Sequence, residues 1–249
     1  MKKIILLALF ICASAFADSY ADPFADTGFS NSNAADNSIY NPKPKQQGYR
    51  NSFFMAFDLG PLMTFSSERK DFMASTEARD LGLGYLNVPT TGSYSGVGFG
   101  VTAKLGILFK QFAAVYAVAG AIESSGTYEI DAVDSTFTNK RHFEYNDGSS
   151  EHFYFGIGTI IYPFRGEEGI EDGVYFGFDI GFNIGGVSYG EHDGVGASSS
   201  HLQIELGKEF NVSRRWKLGV GFAAARMSHF QDGEYAEYAL QLNFHVVRR

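Results

Sequence analysis

The chain has 249 residues and a formal net charge of −8, with 29 glycines, 24 phenylalanines and one cysteine, Cys12. The acidic balance excludes the clustered Lys and Arg that phosphate binding needs, so nucleic acid is not an expected partner. A single cysteine excludes a disulfide framework and thiolate metal centres.

Residues 1–17 read as a secretory signal peptide: Lys2 and Lys3, then the apolar stretch Ile4 to Ile11, then Ala15-Phe16-Ala17 before Asp18. The apolar stretch is too short to span a bilayer as a helix. Cys12 invites a lipoprotein reading, but Phe10 and Ile11 stand where that signal needs small residues. Export without lipidation is expected, and loss of Lys2 and Lys3 would take the net charge from −8 to −10. Residues 18–50 read as a disordered acidic periplasmic tail, closing with Asn41-Pro-Lys-Pro-Lys-Gln-Gln47 as a stiff linker. Residues 51–249 carry the fold.

Eight segments follow in which every second residue is bulky and apolar. Side chains of a strand point alternately to opposite faces, so each segment has one greasy face and one small or polar face. Strand 1 is predicted over Phe53 to Thr64, with Phe53, Met55, Phe57 and Leu59 on one face and a bulge or strand end near Pro61. Ser66 to Ser93 is a long polar connection. Strand 2 (Tyr94 to Phe109) turns Val97, Phe99, Val101, Leu105 and Ile107 outward and Gly96, Gly98, Gly100, Thr102 and Lys104 inward. Lys110-Gln111 turns into strand 3, Phe112 to Ile122. Glu123 to Ser150 is the second long connection, but Thr127 to Val133 and His142 to Tyr145 still alternate, which predicts a hairpin extending beyond the membrane. Strand 4 is Glu151 to Phe164 and strand 5 is Val174 to Gly185, joined by the charged turn Arg165 to Asp172. The Gly-rich loop Val187 to Ser198 leads to strand 6, Ser199 to Phe210. Asn211 to Arg214 turns into strand 7, Arg215 to Met227, and strand 8 is Tyr235 to Val247.

The connections run long and short in turn, ending on one of moderate length. That order and the even strand number describe an all-β, antiparallel, up-and-down transmembrane barrel with short periplasmic turns and longer external loops. No segment offers the roughly 20 consecutive apolar residues of a transmembrane helix, but barrel strands average out to ordinary hydropathy. Phe109, Phe112, Tyr162, Phe164, Phe210, Trp216 and Phe244 all lie beside the short turns or the C-terminus, and are expected to form an aromatic girdle at the periplasmic interface.

This pattern, over Phe53 to Val247, resembles the OmpA-type small eight-stranded outer-membrane barrels. The resemblance implies an outer-membrane location in a diderm bacterium, lipid as the surrounding partner and insertion by the barrel-assembly machinery. Members usually end on an aromatic residue used in assembly; here Phe244 is followed by His245-Val-Val-Arg-Arg249. Members serve as anchors, adhesins, resistance factors and, in a few cases, lipid-modifying enzymes, so the resemblance leaves the role open.

Period-2 assignment places Asp58, Lys104, Asp179, Glu205, Glu209, Lys217 and Glu237 inside, together with His201, Gln203, Gln241, Asn243 and His245. An eight-stranded barrel is just wide enough for side chains to fill it. Charges held there must be paired or hydrated, which favours a structural salt-bridge plug over a narrow ion or solute path. The glycine triplets Gly96-Val-Gly98-Phe-Gly100 and Gly219-Val-Gly221 sit within strands and give steric relief, with no strand-to-helix step for a nucleotide loop. Neither His201 with Glu205 nor Glu237 with His245 has a metal-site spacing, and Glu191-His192-Asp193 in the third loop could touch a cation but reads better as a solvated loop, so no metal or cofactor is expected. Ser228-His229 is the one serine–histidine neighbour pair near the outer rim, but adjacent strand residues point apart, which disfavours a hydrolase. The expectation is a monomeric, non-enzymatic envelope protein with a structural or surface-contact role through its external loops. A porin-like channel is the alternative, and a lipid-modifying enzyme a more distant one.

Overall fold

The computed structural model describes residues 52–66, 69–72, 89–110, 112–133, 140–164, 173–189, 197–213, 215–229 and 236–248. The expected leader (1–17), the tail (18–50) and Glu191-His192-Asp193 lie outside the described residues.

The described residues form nine strands: β1 Ser52–Ser66, β2 Arg69–Phe72, β3 Pro89–Phe109, β4 Ala113–Val133, β5 Lys140–Ile161, β6 Val174–Ser188, β7 Ala197–Asn211, β8 Trp216–His229 and β9 Ala236–Arg248. From β3 to β9 each strand pairs antiparallel with the next. β1 pairs with both β3 and β9, so eight strands close into a ring. Closure removes every unpaired edge within the ring, which is what allows strands to cross lipid. β2 lies outside that ring. It is a short addition to the outer end of β3, from the connection the sequence reads as a plain loop.

The alternation that defines each strand also fixes which face turns inward. On β6, Tyr175, Asp179 and Asn183 are buried while Phe176, Phe178, Ile180, Phe182 and Ile184 are exposed. A slip of one residue would turn every phenylalanine into the lumen, so the register is strongly specified. Two of the short connections close on hydrogen bonds between described residues. Phe112 N–H donates to Phe109 O at 2.9 Å across a turn in which Lys110 takes a left-handed φ of 45°. At the β7–β8 turn the N–H groups of Val212 and Ser213 donate to Trp216 O.

Pro61 neither ends β1 nor bulges it. The ladder to β3 runs without a shift through Gly60↔Gly100, Pro61↔Phe99 and Leu62↔Gly98. On the β9 side pairing lapses between Leu59↔Phe244 and Leu62↔Gln241, yet it resumes in the same register. The absent N–H therefore costs a local gap on one side, because the neighbouring strand is held in place above and below it.

The expected hairpin beyond the membrane is built by β4 and β5, which stay paired out to Val133↔Lys140. A register shift between Gly126 and Tyr128 sets Thr127 against two β5 residues, Asn146 and Asp147. The extra residue changes which β5 side chains face inward: His152, Ser150 and Gly148 below the bulge, then Tyr145 and Phe143 above it. Those rings pack with Tyr94, Tyr128, Ile130, Val187 and Tyr189 in a second apolar cluster, and Tyr128 stacks on Tyr189 with ring centroids 4.1 Å apart.

Candidate functional site

Three surfaces carry what the barrel could do: its outer wall, its interior and the sheet that rises from its outer end. The outer wall bears exposed Phe, Leu, Ile or Val on every ring strand; on β4 this is Val115, the other outward residues of its apolar stretch being alanine. Val97 is 65% exposed and Met63 59%, values that a water-facing surface does not sustain over a whole circumference. The apolar run ends on each strand after about five to seven outward residues, with Ser95 on β3, Glu123 on β4, Glu151 on β5, Ser200 on β7 and Arg226 on β8. Five alternate residues cover the 9–11 residues that a tilted strand needs to cross hydrocarbon. This closed ring with an apolar belt is an outer-membrane β-barrel.

At the inner end of the barrel Phe109, Phe112, Phe164, Phe210 and Phe244 are exposed on the wall, and Trp216 is partly exposed beneath the Arg248 guanidinium, 5.8 Å from its ring. Tyr162 is not among them. It is 1% exposed inside the barrel, where its hydroxyl donates to Glu209 Oε1 at 2.7 Å. Tyr162 follows the last residue of β5, and its position continues the inward run of His152, Tyr154 and Ile160. Sequence proximity to a short turn sets its height; strand parity sets its direction.

Inside, the polar side chains form two groups. The inner one centres on Lys104, fully buried, whose ammonium lies 2.8 Å from Asp58 Oδ2 and bonds Glu205 Oε2. His245 bonds Asp58 through Nδ1 and brings Nε2 to 3.4 Å from Glu209. Tyr175 donates to Glu205 at 2.7 Å and Tyr116 to Asp179 at 2.6 Å, with Gln203 Nε2 donating to the other Asp179 oxygen at 3.3 Å. Lys217 stands at the inner rim, 3.9 Å from Glu209. The outer group joins Glu237 to Ser150 and to His152 Nε2 at 2.8 Å, and Asn183 links His152 to Ser199. Between the groups His201 stacks on Tyr154 with centroids 4.0 Å apart; its ring nitrogens have no hydrogen-bond partner among the described residues.

All twelve residues assigned to the lumen from period 2 thus face inward, and all but Lys217 are buried. The residues that sequence reasoning left out are Tyr116, Tyr154, Tyr175, His152 and Asn183. The same parity finds them, but aromatic rings in a barrel sequence read first as lipid-facing. Glycines make room for these rings. A Cβ on Gly120 would strike Tyr154, and one on Gly207 would strike Tyr175, whose hydroxyl also lies 2.6 Å from the Cβ position of Gly221.

Asp58, Glu205 and His245 bring their ligand-type atoms within 4.8 Å of one another, an arrangement open to a metal ion. The Lys104 ammonium already sits between the two carboxylates. A second cation there would face direct repulsion at close range.

No family model matches the chain, and no curated protein is similar in sequence. Among solved structures the chain is similar to Neisserial surface protein A, at 11% identity and a TM-score of 0.42, covering 80% of this chain and 98% of that one. It is also similar to Ail, the attachment invasion locus protein of Yersinia pestis, in complex with the heparin analogue sucrose octasulfate (14%, TM-score 0.37, 78% and 98% covered). A third is the outer membrane protein OprG from Pseudomonas aeruginosa (12%, TM-score 0.41, 78% and 95% covered). These likenesses concern the fold alone.

Proposed function

We propose that this barrel is a plugged membrane anchor in the outer membrane of a diderm bacterium, and that its work is surface contact through the sheet raised by β3, β4 and β5. The observation that carries this reading is the length of the β4–β5 hairpin. β4 runs ten residues past Glu123, where the apolar belt ends, about 30 Å at the rise of an extended strand. That surface is far more than a turn needs to reconnect two strands. The packed lumen argues in the same direction, since the side chains of Lys104, Asp58, Glu237 and His245 are fully buried. The inward polar groups answer one another, which supports a structural role for them over a catalytic one.

The reading is tested by replacing residues 127–146 with a tight two-residue turn. Cells carrying the wild-type and the trimmed barrel, matched for folded protein in the outer membrane, are compared for attachment to surfaces and to other cells. Loss of attachment with an intact barrel is the expected result. Unchanged attachment, or a steady wild-type conductance in a planar bilayer, overturns the reading in favour of an anchor without contact function or of a channel.

A further inference from the structure

At the outer end of the belt the wall turns from apolar to polar, and the charge met there differs around the ring. On β4 and β5 the apolar run ends on Glu123 and Glu151, which are ladder partners. On β8 it ends on Arg226, beyond Phe222 and Ala224 in the same outward row. The ladder partners of Arg226 are Leu202 on β7 and Tyr238 on β9. Tyr238 in turn stacks on Phe65 of β1, with ring centroids 5.5 Å apart and planes inclined by 18°. The next outward pair, Ser200 and Ser228, brings hydroxyls to the wall, and Ser200 Oγ donates to Ser228 O at 3.3 Å.

Arg226 is exposed, and among the described residues no carboxylate or aromatic ring pairs with its guanidinium. A guanidinium presents five N–H donors in a planar fork that matches two oxygens of one phosphate. Its flanks on the wall, Leu202 and the Tyr238–Phe65 pair, are apolar or aromatic and offer no counter-charge. A charge on the lipid-facing side of a span is tolerated close to the headgroups, and it marks a place where a partner is expected. Tyrosine favours that same depth. The groups that surround a barrel at this depth are lipid headgroups, and the anion they carry is phosphate. Glu123 and Glu151 repel that anion on their own side of the ring, so the attraction is confined to the sector of β7, β8 and β9.

We propose that the outward wall around Arg226 is a binding site for a phosphorylated lipid of the outer leaflet. The guanidinium forks onto two phosphate oxygens, the Ser228 hydroxyl donates to a third, and the acyl chains lie along Leu202 and Ala224. The Tyr238–Phe65 stack bounds the headgroup on the β9 side. Such a site holds lipid at one sector of the ring and turns a fixed face of the barrel toward it. It stands apart from the surface-contact reading, which concerns the sheet raised by β3, β4 and β5.

The test uses the full-length barrel refolded into phosphatidylcholine vesicles that contain a minor share of diphosphorylated lipid A. Lipids that stay on the folded protein are counted by native mass spectrometry. The wild-type barrel should retain the phosphorylated lipid about fivefold above its share of the vesicle. Arg226→Gln should bring retention down to that share. Arg226→Lys should keep part of the enrichment, because the charge stays while the fork is lost. Each variant is confirmed as folded by its electrophoretic mobility without boiling. Arg215→Gln removes another exposed arginine, just before β8 at the inner end, and should leave retention unchanged. Retention no higher than the vesicle share in the wild type, no fall with Arg226→Gln, or an equal fall with Arg215→Gln overturns the proposal, the last because it signals general charge attraction. In a parallel arm inorganic phosphate is added in excess. The lipid should stay bound, and its displacement overturns the lipid assignment in favour of a site for the free anion.

Discussion

At the scale of single residues the interior is governed by Lys104. Its ammonium is the one buried lysine charge in the inner group, set against Asp58 and Glu205 with no water-exposed surface on its side chain. Removing one partner of such a group leaves uncompensated charge in a poor solvent and typically costs about 3–5 kcal/mol. Lys104→Met should lose that much in a guanidinium unfolding titration in lipid. The triple change Lys104→Met, Asp58→Asn, Glu205→Gln should recover most of it, because a neutral set has nothing to leave unpaired. On the wall the sign reverses: Phe178 faces lipid and its neighbour Asp179 the lumen, so Phe178→Arg near mid-membrane should cost about 2–4 kcal/mol. Asp179→Asn retains an acceptor for Tyr116 and should cost far less; equal losses in the same titration would mean the register is wrong. The direction of both residues was legible in the sequence, since a period of two has only one phase that hides the charges. Tyr162 was misread because its place beside a turn outweighed that phase, and the partners of His245 were not legible at all. Asp58 and His245 are 187 positions apart and meet only when β1 closes on β9.

At the scale of elements the hairpin of β4 and β5 shows what period-2 reading does and does not resolve. Alternation in Thr127 to Val133 and in His142 to Tyr145 announces two strands, and both form. The bulge between them was not announced, because an added residue leaves no mark until the facing strand is known. It matters, since it turns Phe143 and Tyr145 onto the apolar cluster and leaves His142 and Glu144 outside. Pro61 is the opposite case: a strong local signal for a break, overridden by two neighbours that hold the strand straight. The exposed pair His142–Asp131 gives the hairpin a pH dependence. Its hydrogen bond to Asp131 raises the His142 imidazole above its usual 6.5. A raised folded-state value means the stabilisation is fully present below the unfolded pKa and fades as pH climbs through the folded one. Amide exchange in Glu129–Val133 should therefore quicken as pH passes upward through that point, after correction for intrinsic exchange. Asp131→Asn should bring the His142 titration, followed by NMR, back toward 6.5, and a titration that does not move would detach the pair from the effect.

At the scale of the whole molecule, ring closure, filling and transport are one question. The ring joins its first strand to its last, so the lumen is sealed sideways only once the chain ends are paired. Along the axis side chains occupy it in layers: Tyr162, Tyr175 and Tyr116 around the Lys104 group, the Tyr154–His201 stack above them, then the Glu237–His152 group. An eight-stranded ring leaves about enough interior for side chains and no more, and here glycines such as Gly120 and Gly207 give up their own space to tyrosines. Ions could pass only if successive layers moved together, each move breaking buried hydrogen bonds worth about 0.5–1.5 kcal/mol net and exposing partners that cost more. The wild-type barrel should therefore be silent in a planar bilayer. Thinning the layers should open it: Tyr154→Ala with Tyr175→Ala removes two rings from successive levels while leaving Asp58, Asp179, Glu205, Glu209 and Glu237 in place. With Lys104 the one fully buried lysine among the described residues set against those acids, the resulting leak should favour cations, and Lys104→Ala added to it should raise that preference. A wild-type barrel that conducts steadily and selects cations would show that the layers part in the membrane, and would make the lumen a path in its own right.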